Sequence, residues 1–349
     1  MGLSKSQQAI WERSRVVGAG AQAVVLDDSA CTCLIAIIAA DLGVTEQFPE
    51  LPKVASYFEL SPEDVATPHP DPRALFERLV SLDADADTYY ACLASLHKAR
   101  LKYHNILSTQ PVPTLEQVGP RGLLQYGAMS PRALAGLIFW RKWFFDIDNR
   151  AGQETGYLFE PIIAHAIGGT PVPSRKSPIK RHRDQKKGRQ VDCVLEKKAY
   201  EFKIRVTIAA SGQGRWREEL DFPIDCKSSG YTPVLIVLDG TRNPKLDELE
   251  RAFLDANGDI YTGSTAWEHL DSLAGMTMSR FLDTYVRGPI DRLIQEAPVA
   301  LPSFSASVDG ETIRISIGDE SLKIDRVADN MADVDEALPD DIADNLPGS

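Results

Sequence analysis

The chain has 349 residues, 43% hydrophobic and 25% charged, which is the make-up of a globular protein with a sizeable core and length for two domains or one with large additions. Its longest apolar run, ACTCLIAIIAADL from Ala30 to Leu42, is too short to cross a bilayer and reads as a buried helix, so no membrane partner is expected. The net charge of -12 taken alone argues against a nucleic-acid partner, but it averages over a marked segregation: Pro171 to Arg217 holds 14 Lys plus Arg against 4 Asp plus Glu, while the stretch from Asp329 onward holds 7 acids and no Lys or Arg.

The first 150 residues read as mainly helical. Segments such as ALFERLVSL and TYYACLASLHKARLKYHNIL repeat apolar residues at three and four positions. PHPDP at 68–72 and QPVP at 110–113 separate them, because proline lacks the donor that a helix interior needs. PRALAGLIFWRKWFFDI predicts a further helix, with Ser130 as cap and Pro131 at its first position. The five cysteines, Cys31, Cys33, Cys92, Cys193 and Cys226, are scattered, and secretion is not expected. Free thiols and a cytoplasmic location are expected.

From about Gly152 the pattern alternates between helix and strand. TGYLFEPIIAHAIGG predicts a helix closed by Gly168 and Gly169 that either starts or kinks at Pro161. PVPSRKSPIKRHRDQKKGRQ follows as a basic loop, then two strands, VDCVLE and YEFKIRVTIAA, joined by a turn at Lys197 and Lys198. REEL suggests a helix, PVLIVLD a buried strand and PKLDELERAFLD an amphipathic helix, with further helices near 266–295. SASVDGETIRISI predicts a hairpin turning at Asp309 and Gly310. The expected divisions are 1–150, helical; 151–300, α/β; 301–328, a C-terminal hairpin; and 329–349, an acidic tail expected to be disordered.

Chemistry concentrates on the two strands. Glu201, Lys203 and Arg205 alternate onto one face, and cross-strand neighbours in an antiparallel pair stand about 5 Å apart, so Asp192 can meet Glu201. Two carboxylates that close repel unless a cation joins them, and a hard divalent ion such as Mg²⁺ suits oxygen ligands. Lys203 beside such an ion can orient a water and offset charge on a phosphate, which suits hydrolysis of a phosphodiester.

Asp192, eight intervening residues, then Glu201, Phe202 and Lys203 resembles the PD-(D/E)xK nuclease superfamily, with Val191 in place of its proline. GlyTyrLeuPheGlu at 156–160 is similar to the first core helix of such nucleases. The resemblance implies that Glu160 completes the catalytic and metal site, with Glu154 as the alternative. It also implies an αβββαβ core, a central mixed sheet flanked by helices. The stretch from about Gly152 to Phe253 further resembles the ApaLI-like group of type II restriction endonucleases. That likeness implies a Mg²⁺-dependent homodimer cutting both strands of double-stranded DNA at a short palindrome, GTGCAC, and leaving 5′-phosphate and 3′-hydroxyl ends.

Other residues are candidates for DNA contact. Ser211 suits a phosphate, and Gln213, Arg215 and Arg217 suit either base edges or phosphate and solvent alone. Arg205, Arg175, Lys176, Lys180, Arg181, Arg183, Lys186, Lys187 and Arg189 offer charge to the backbone. His182 and His165 are lone histidines, read as surface and core residues respectively. A structure-specific repair or recombination nuclease, and a non-catalytic DNA-binding regulator, are the rival functions.

Overall fold

The computed structural model describes residues 2–17, 24–114, 116–118, 129–204, 206, 213–296 and 300–327, with the side chains of 150–157 and 213–215 excepted. Arg205, Ser211, the side chains of Glu154, Gln213 and Arg215, and the acidic tail therefore lie outside the described residues. The chain forms two compact units. The first takes the described residues of Met1–Leu96 and Tyr157–Ile290, the second those of His97–Gly156 and Asp291–Ala337. The units interleave along the chain, whereas composition divides it linearly at residue 150.

The first unit opens with helix α1 (Lys5–Ser14), whose cap is reciprocal: Ser4 Oγ accepts from Gln7 N–H and the Gln7 side chain accepts from Ser4 N–H. The short strands β1 (Val16–Val17) and β2 (Val24–Val25) pair antiparallel. Helix α2 (Asp28–Asp41) starts where Asp27 accepts the Ala30 N–H, and residues Ala30 to Ala39 are all buried, Cys31 and Cys33 among them. Its apolar run is thus a core helix. Helix α3 (Pro72–Leu82) follows the cap Asp71 with proline at its first turn. Next along the chain come α4 (Ala86–Thr109) and α5 (Pro131–Ala166), each with residues in both units. Helix α5 is a single element of 36 residues with Pro161 inside it, where two helices, over 131–147 and 155–169, were expected.

Gly168 ends α5 in the left-handed region, at φ 76°. Gly169 then passes so near the sheet that a Cβ there would lie 2.2 Å from Cys193 Sγ. This close approach lets β3 (Thr170–Val172) run beside β6 (Val191–Leu195). Between them the stretch expected as a plain loop folds into a small hairpin, β4 (Lys180–Arg181) and β5 (Asp184–Gly188). Strand β7 (Lys198–Lys203) pairs antiparallel with β6, with Leu195 opposite Lys198. The intervening loop is therefore Glu196 and Lys197, one residue earlier than expected, with Glu196 at φ 54°.

Helix α6 (Gln213–Ser228), strand β8 (Thr232–Val237), helix α7 (Pro244–Asp255) and strand β9 (Asp259–Thr262) complete the sheet in the order β3-β6-β7-β8-β9. β7, β8 and β9 run parallel, as strands connected through helices must. The fold is thus α/β, a mixed central sheet flanked by helices. β8 has five buried residues in succession, the signature of a strand covered on both faces. Ala199, Leu235 and Val237 share one core with Phe222 and Cys226 of α6 and Leu246, Leu249 and Phe253 of α7. Helix α8 (Ser264–Leu282) and, after a π-helical turn, α9 (Gly288–Gln295) follow. His269 of α8 stacks on Tyr261 and lies near Tyr200 of β7.

In the second unit the expected C-terminal hairpin is present and gains a strand. β10 (Phe304–Asp309), β11 (Thr312–Ile317) and β12 (Glu320–Asp325) form an antiparallel sheet. The register makes Gly310 and Glu311 the first loop, with Gly310 at φ 58°. Ile313, Ile315 and Ile324 pack on Trp143 and Ile147 of α5. Among the described residues no helix is long and apolar enough to cross a membrane.

Candidate active site

The antiparallel register pairs Cys193 with Tyr200 and Val194 with Ala199. Just beyond the Cys193–Tyr200 pair Asp192 lies within the field of Glu201. The two-residue loop sets this pairing, and the pleat then brings Lys203 onto the same face as Glu201, with Ala199 beneath α6. Asp192 Oδ2 accepts the Phe202 N–H at 2.9 Å, which fixes the carboxylate across the strand pair. Lys203 Nζ donates to Glu201 Oε1 at 2.8 Å and stands 3.8 Å from Glu219 Oε1 of α6. All three side chains are largely covered, with exposures of 23%, 16% and 23% respectively.

The electrostatics are those of too many carboxylates in one place. Burial first, then the charges of Glu201 and Glu160, push the Asp192 carboxyl well above its ordinary range, against the opposing pull of Lys203 and the Phe202 N–H. Burial works to lower the Lys203 ammonium's pKa, yet Glu201, Glu219 and Asp192 together hold it above its usual value. Lys203 is therefore a fixed cation among acids. Glu160, in the last two turns of α5, acts on the same group through its field. The residues singled out from the two strands and from the helix glutamate are thus brought together.

The basic stretch is placed differently from expectation. Arg181 binds Glu218 at 2.5 Å and Arg183 binds Asp221 at 2.9 Å, both acids on α6. Arg189 is buried, 3.2 Å from the buried Asp225 and bonded to the Glu218 carbonyl. In this position it serves packing and does not face a DNA backbone. His182, read as a surface residue, puts its backbone N–H and Nδ1 on Asp225 Oδ1, each at 2.6 Å. Lys180 Nζ bonds the Ser177 carbonyl. Lys186 and Lys187 are exposed at the hairpin, as is Arg217 on α6. His165 is half-buried, with its Nε2 covered.

Two features were missed. Glu219 enters the site from α6, and the only sequence signal for it was the GluGlu pair of REEL. Glu218, Asp221 and Asp225 recur at intervals of three and four, a single helical stripe of acids that could have been matched to the basic hairpin.

The match to known proteins is broad. A model of the ApaLI-like restriction endonuclease family matches residues 61–287, the whole of the central sheet and its flanking helices included. The chain belongs to the ApaLI-like restriction endonuclease family. It is 43% identical over 335 residues to a protein of Acetobacter pasteurianus described as "Type II restriction enzyme ApaLI", covering 87% of this chain and 89% of that one. No solved structure matches. The activity that the ApaLI-like site must house is site-specific hydrolysis of DNA.

Proposed function

We propose that Asp192, Glu201 and Lys203, with Glu160 from α5, form a PD-(D/E)xK cleavage site that hydrolyses double-stranded DNA with Mg²⁺. The observation that carries this reading is that Asp192 accepts the Phe202 N–H at 2.9 Å, beside Glu201, and that Lys203 is bonded to Glu201 at 2.8 Å. The order of α5, the antiparallel strands β3, β6 and β7, then α6 and the parallel β8 supports the αβββαβ core assigned to residues 151–300.

The donor set suits a hard divalent cation. Asp192, Glu201 and Glu160 offer oxygens alone, and the strain that Glu201 and Glu160 place on Asp192 is an excess of negative charge that such an ion relieves. Among the described residues no three acidic, histidine or cysteine side chains stand gathered as a closed ligand set, and Lys203 holds Glu201 instead. These three carboxylates would hold the ion once Glu201 exchanges its partner. When bound, Mg²⁺ supplies charge neutralisation at the phosphate and a water of lowered pKa.

The chain's own groups do the rest. The Phe202 N–H keeps Asp192 aimed from its strand, and Lys203 presents a protonated ammonium to the charge that builds on the phosphate oxygens. Attack of the water oxygen on phosphorus, its proton passing to solvent, breaks the bond to O3′. The O3′ takes a proton from solvent and departs as the 3′-hydroxyl, and the phosphate stays on the 5′ end. Lys186, Lys187, Arg183 and Arg217 are exposed and supply backbone attraction. Arg205, Ser211, Gln213 and Arg215 are assigned to DNA contact on sequence grounds, Lys180 and Arg181 with them. A palindromic site is matched by a two-fold homodimer in the cytoplasm, and the family likeness supports GTGCAC as that site.

Incubation of the purified chain with phage DNA and Mg²⁺ tests this. Discrete fragments ending at GTGCAC, and intact DNA in a chelator, are expected. A smear, uncut DNA, or the same fragments in the chelator would contradict it.

A further inference from the structure

Glu219 lies outside the strand pair that supplies the other site residues. Helix α6 carries it, and that helix is anchored along a different stripe. Glu218, Asp221 and Asp225 hold Arg181, Arg183, His182 and Arg189 of the basic hairpin at distances of 2.5 to 3.9 Å. With about 100° between successive helical residues, Glu219 projects away from that stripe. Its Oε1 stands 3.8 Å from Lys203 Nζ. Lys203 is thus within ion-pair reach of two carboxylates, one on its own strand and one on a helix held in place by the hairpin.

That arrangement answers a difficulty in the cleavage site. Glu201 cannot keep the ammonium at 2.8 Å and also turn the same oxygen to a divalent cation. A largely buried ammonium that lost its only partner would be destabilised or would move. We infer that Glu219 is a positioning residue which retains the Lys203 ammonium while Glu201 changes partner, so that the charge stays aimed at the scissile phosphate. The inference rests on the reading of Asp192, Glu201 and Lys203 as the cleavage site. Glu219 forms no bond to substrate in this role, and acts only through Lys203.

The test is a double-mutant cycle on the full-length protein. Glu219→Gln, Glu219→Asp, Lys203→Ala and the double variant Lys203→Ala/Glu219→Gln are compared in single-turnover cleavage of a duplex carrying the mapped site, with Mg²⁺. DNA affinity in Ca²⁺ and melting temperature are measured alongside. Glu219→Gln should lose about tenfold to a hundredfold in rate at saturating DNA, as displacement of a catalytic group does, with affinity and melting close to wild type. Glu219→Asp should recover part of the rate. In the Lys203→Ala background, Glu219→Gln should cost less than about twofold, because the group through which it acts is gone.

Four results would overturn the inference. A wild-type rate in Glu219→Gln, with Lys203→Ala crippled, removes Glu219 from the site and leaves the cleavage-site reading standing. An undiminished loss on top of Lys203→Ala means that Glu219 acts independently, as ligand or base. A fall in melting temperature that tracks the loss of rate in both Glu219 variants marks it as structural. A wild-type rate in Lys203→Ala itself sinks the parent reading and the inference together.

Discussion

Lys203 Nζ lies 2.8 Å from Glu201 Oε1, two residues away on the same face of β7. At a solvated surface such a pair would contribute only about 0 to 1 kcal/mol. Here both side chains are mostly covered and Asp192 and Glu219 add to the field. The proposed role makes a different demand, since removing a well-placed electrostatic group from a reacting phosphate costs about 10² to 10³ in rate. Lys203→Ala should therefore fold, keep its affinity for the site and lose at least about a hundredfold in cleavage. A rate within a few-fold of wild type would leave β7 without a catalytic lysine.

The metal requirement gives a second expectation. Ca²⁺ accepts the same oxygen ligands with looser geometry, so it should support specific binding without cleavage. Gel retardation in Ca²⁺ followed by addition of Mg²⁺ checks both halves in one sample. Cutting at full rate in Ca²⁺, or in a chelator, would separate the carboxylates from any metal role.

The cations of the basic hairpin divide into two kinds. Arg189 and Asp225 are both buried, with side-chain exposures of 8% and 1%. Removing Arg189 leaves the Asp225 carboxylate with His182 alone, and breaking such a buried pair typically costs about 3 to 5 kcal/mol. Arg189→Ala should lower the unfolding free energy by that order in a denaturant titration. Lys187→Ala, at an exposed position, should leave stability unchanged and weaken DNA binding more at low salt than at high salt. Equal stability of the two variants would contradict this division.

Burial drives the His165 pKa down to about 4, against about 6.5 for a free imidazole. The unfolded chain then takes up a proton that the native state refuses. The contribution to stability is complete above about pH 6.5 and is lost as pH falls toward 4. His97 is pushed to about 4 in the same direction, by burial and then by Arg100. Melting temperature should fall across this window, with a shallower slope in His165→Leu. An equally steep slope in that variant would assign the effect elsewhere.

What the sequence revealed of the site followed from short-range geometry. Asp192 and Glu201 meet because a two-residue loop leaves almost no freedom of register, and Lys203 follows by strand alternation. Glu219 was not legible, since its approach depends on where α6 docks after the segment that follows β7. The Arg189–Asp225 pair was hidden for a similar reason: its members lie 36 residues apart, and a charge count treats a buried arginine and an exposed one alike. At α5, Pro161 left a start or a kink as the alternatives, and the start is excluded because the helix already runs from Pro131. The third strand of the C-terminal sheet went unread because ESLKID alternates weakly, with Ile324 alone buried.

The central claim is that the carboxylates on β6 and β7 perform the cleavage, and Asp192→Ala tests it most directly. With Mg²⁺ and a DNA carrying mapped sites, the wild-type protein should give discrete fragments. Asp192→Ala should give none while still retarding the same DNA and melting near the wild-type temperature, because Asp192 holds the metal and not the backbone. The same fragments, produced at a comparable rate by Asp192→Ala, would place the chemistry elsewhere in the chain.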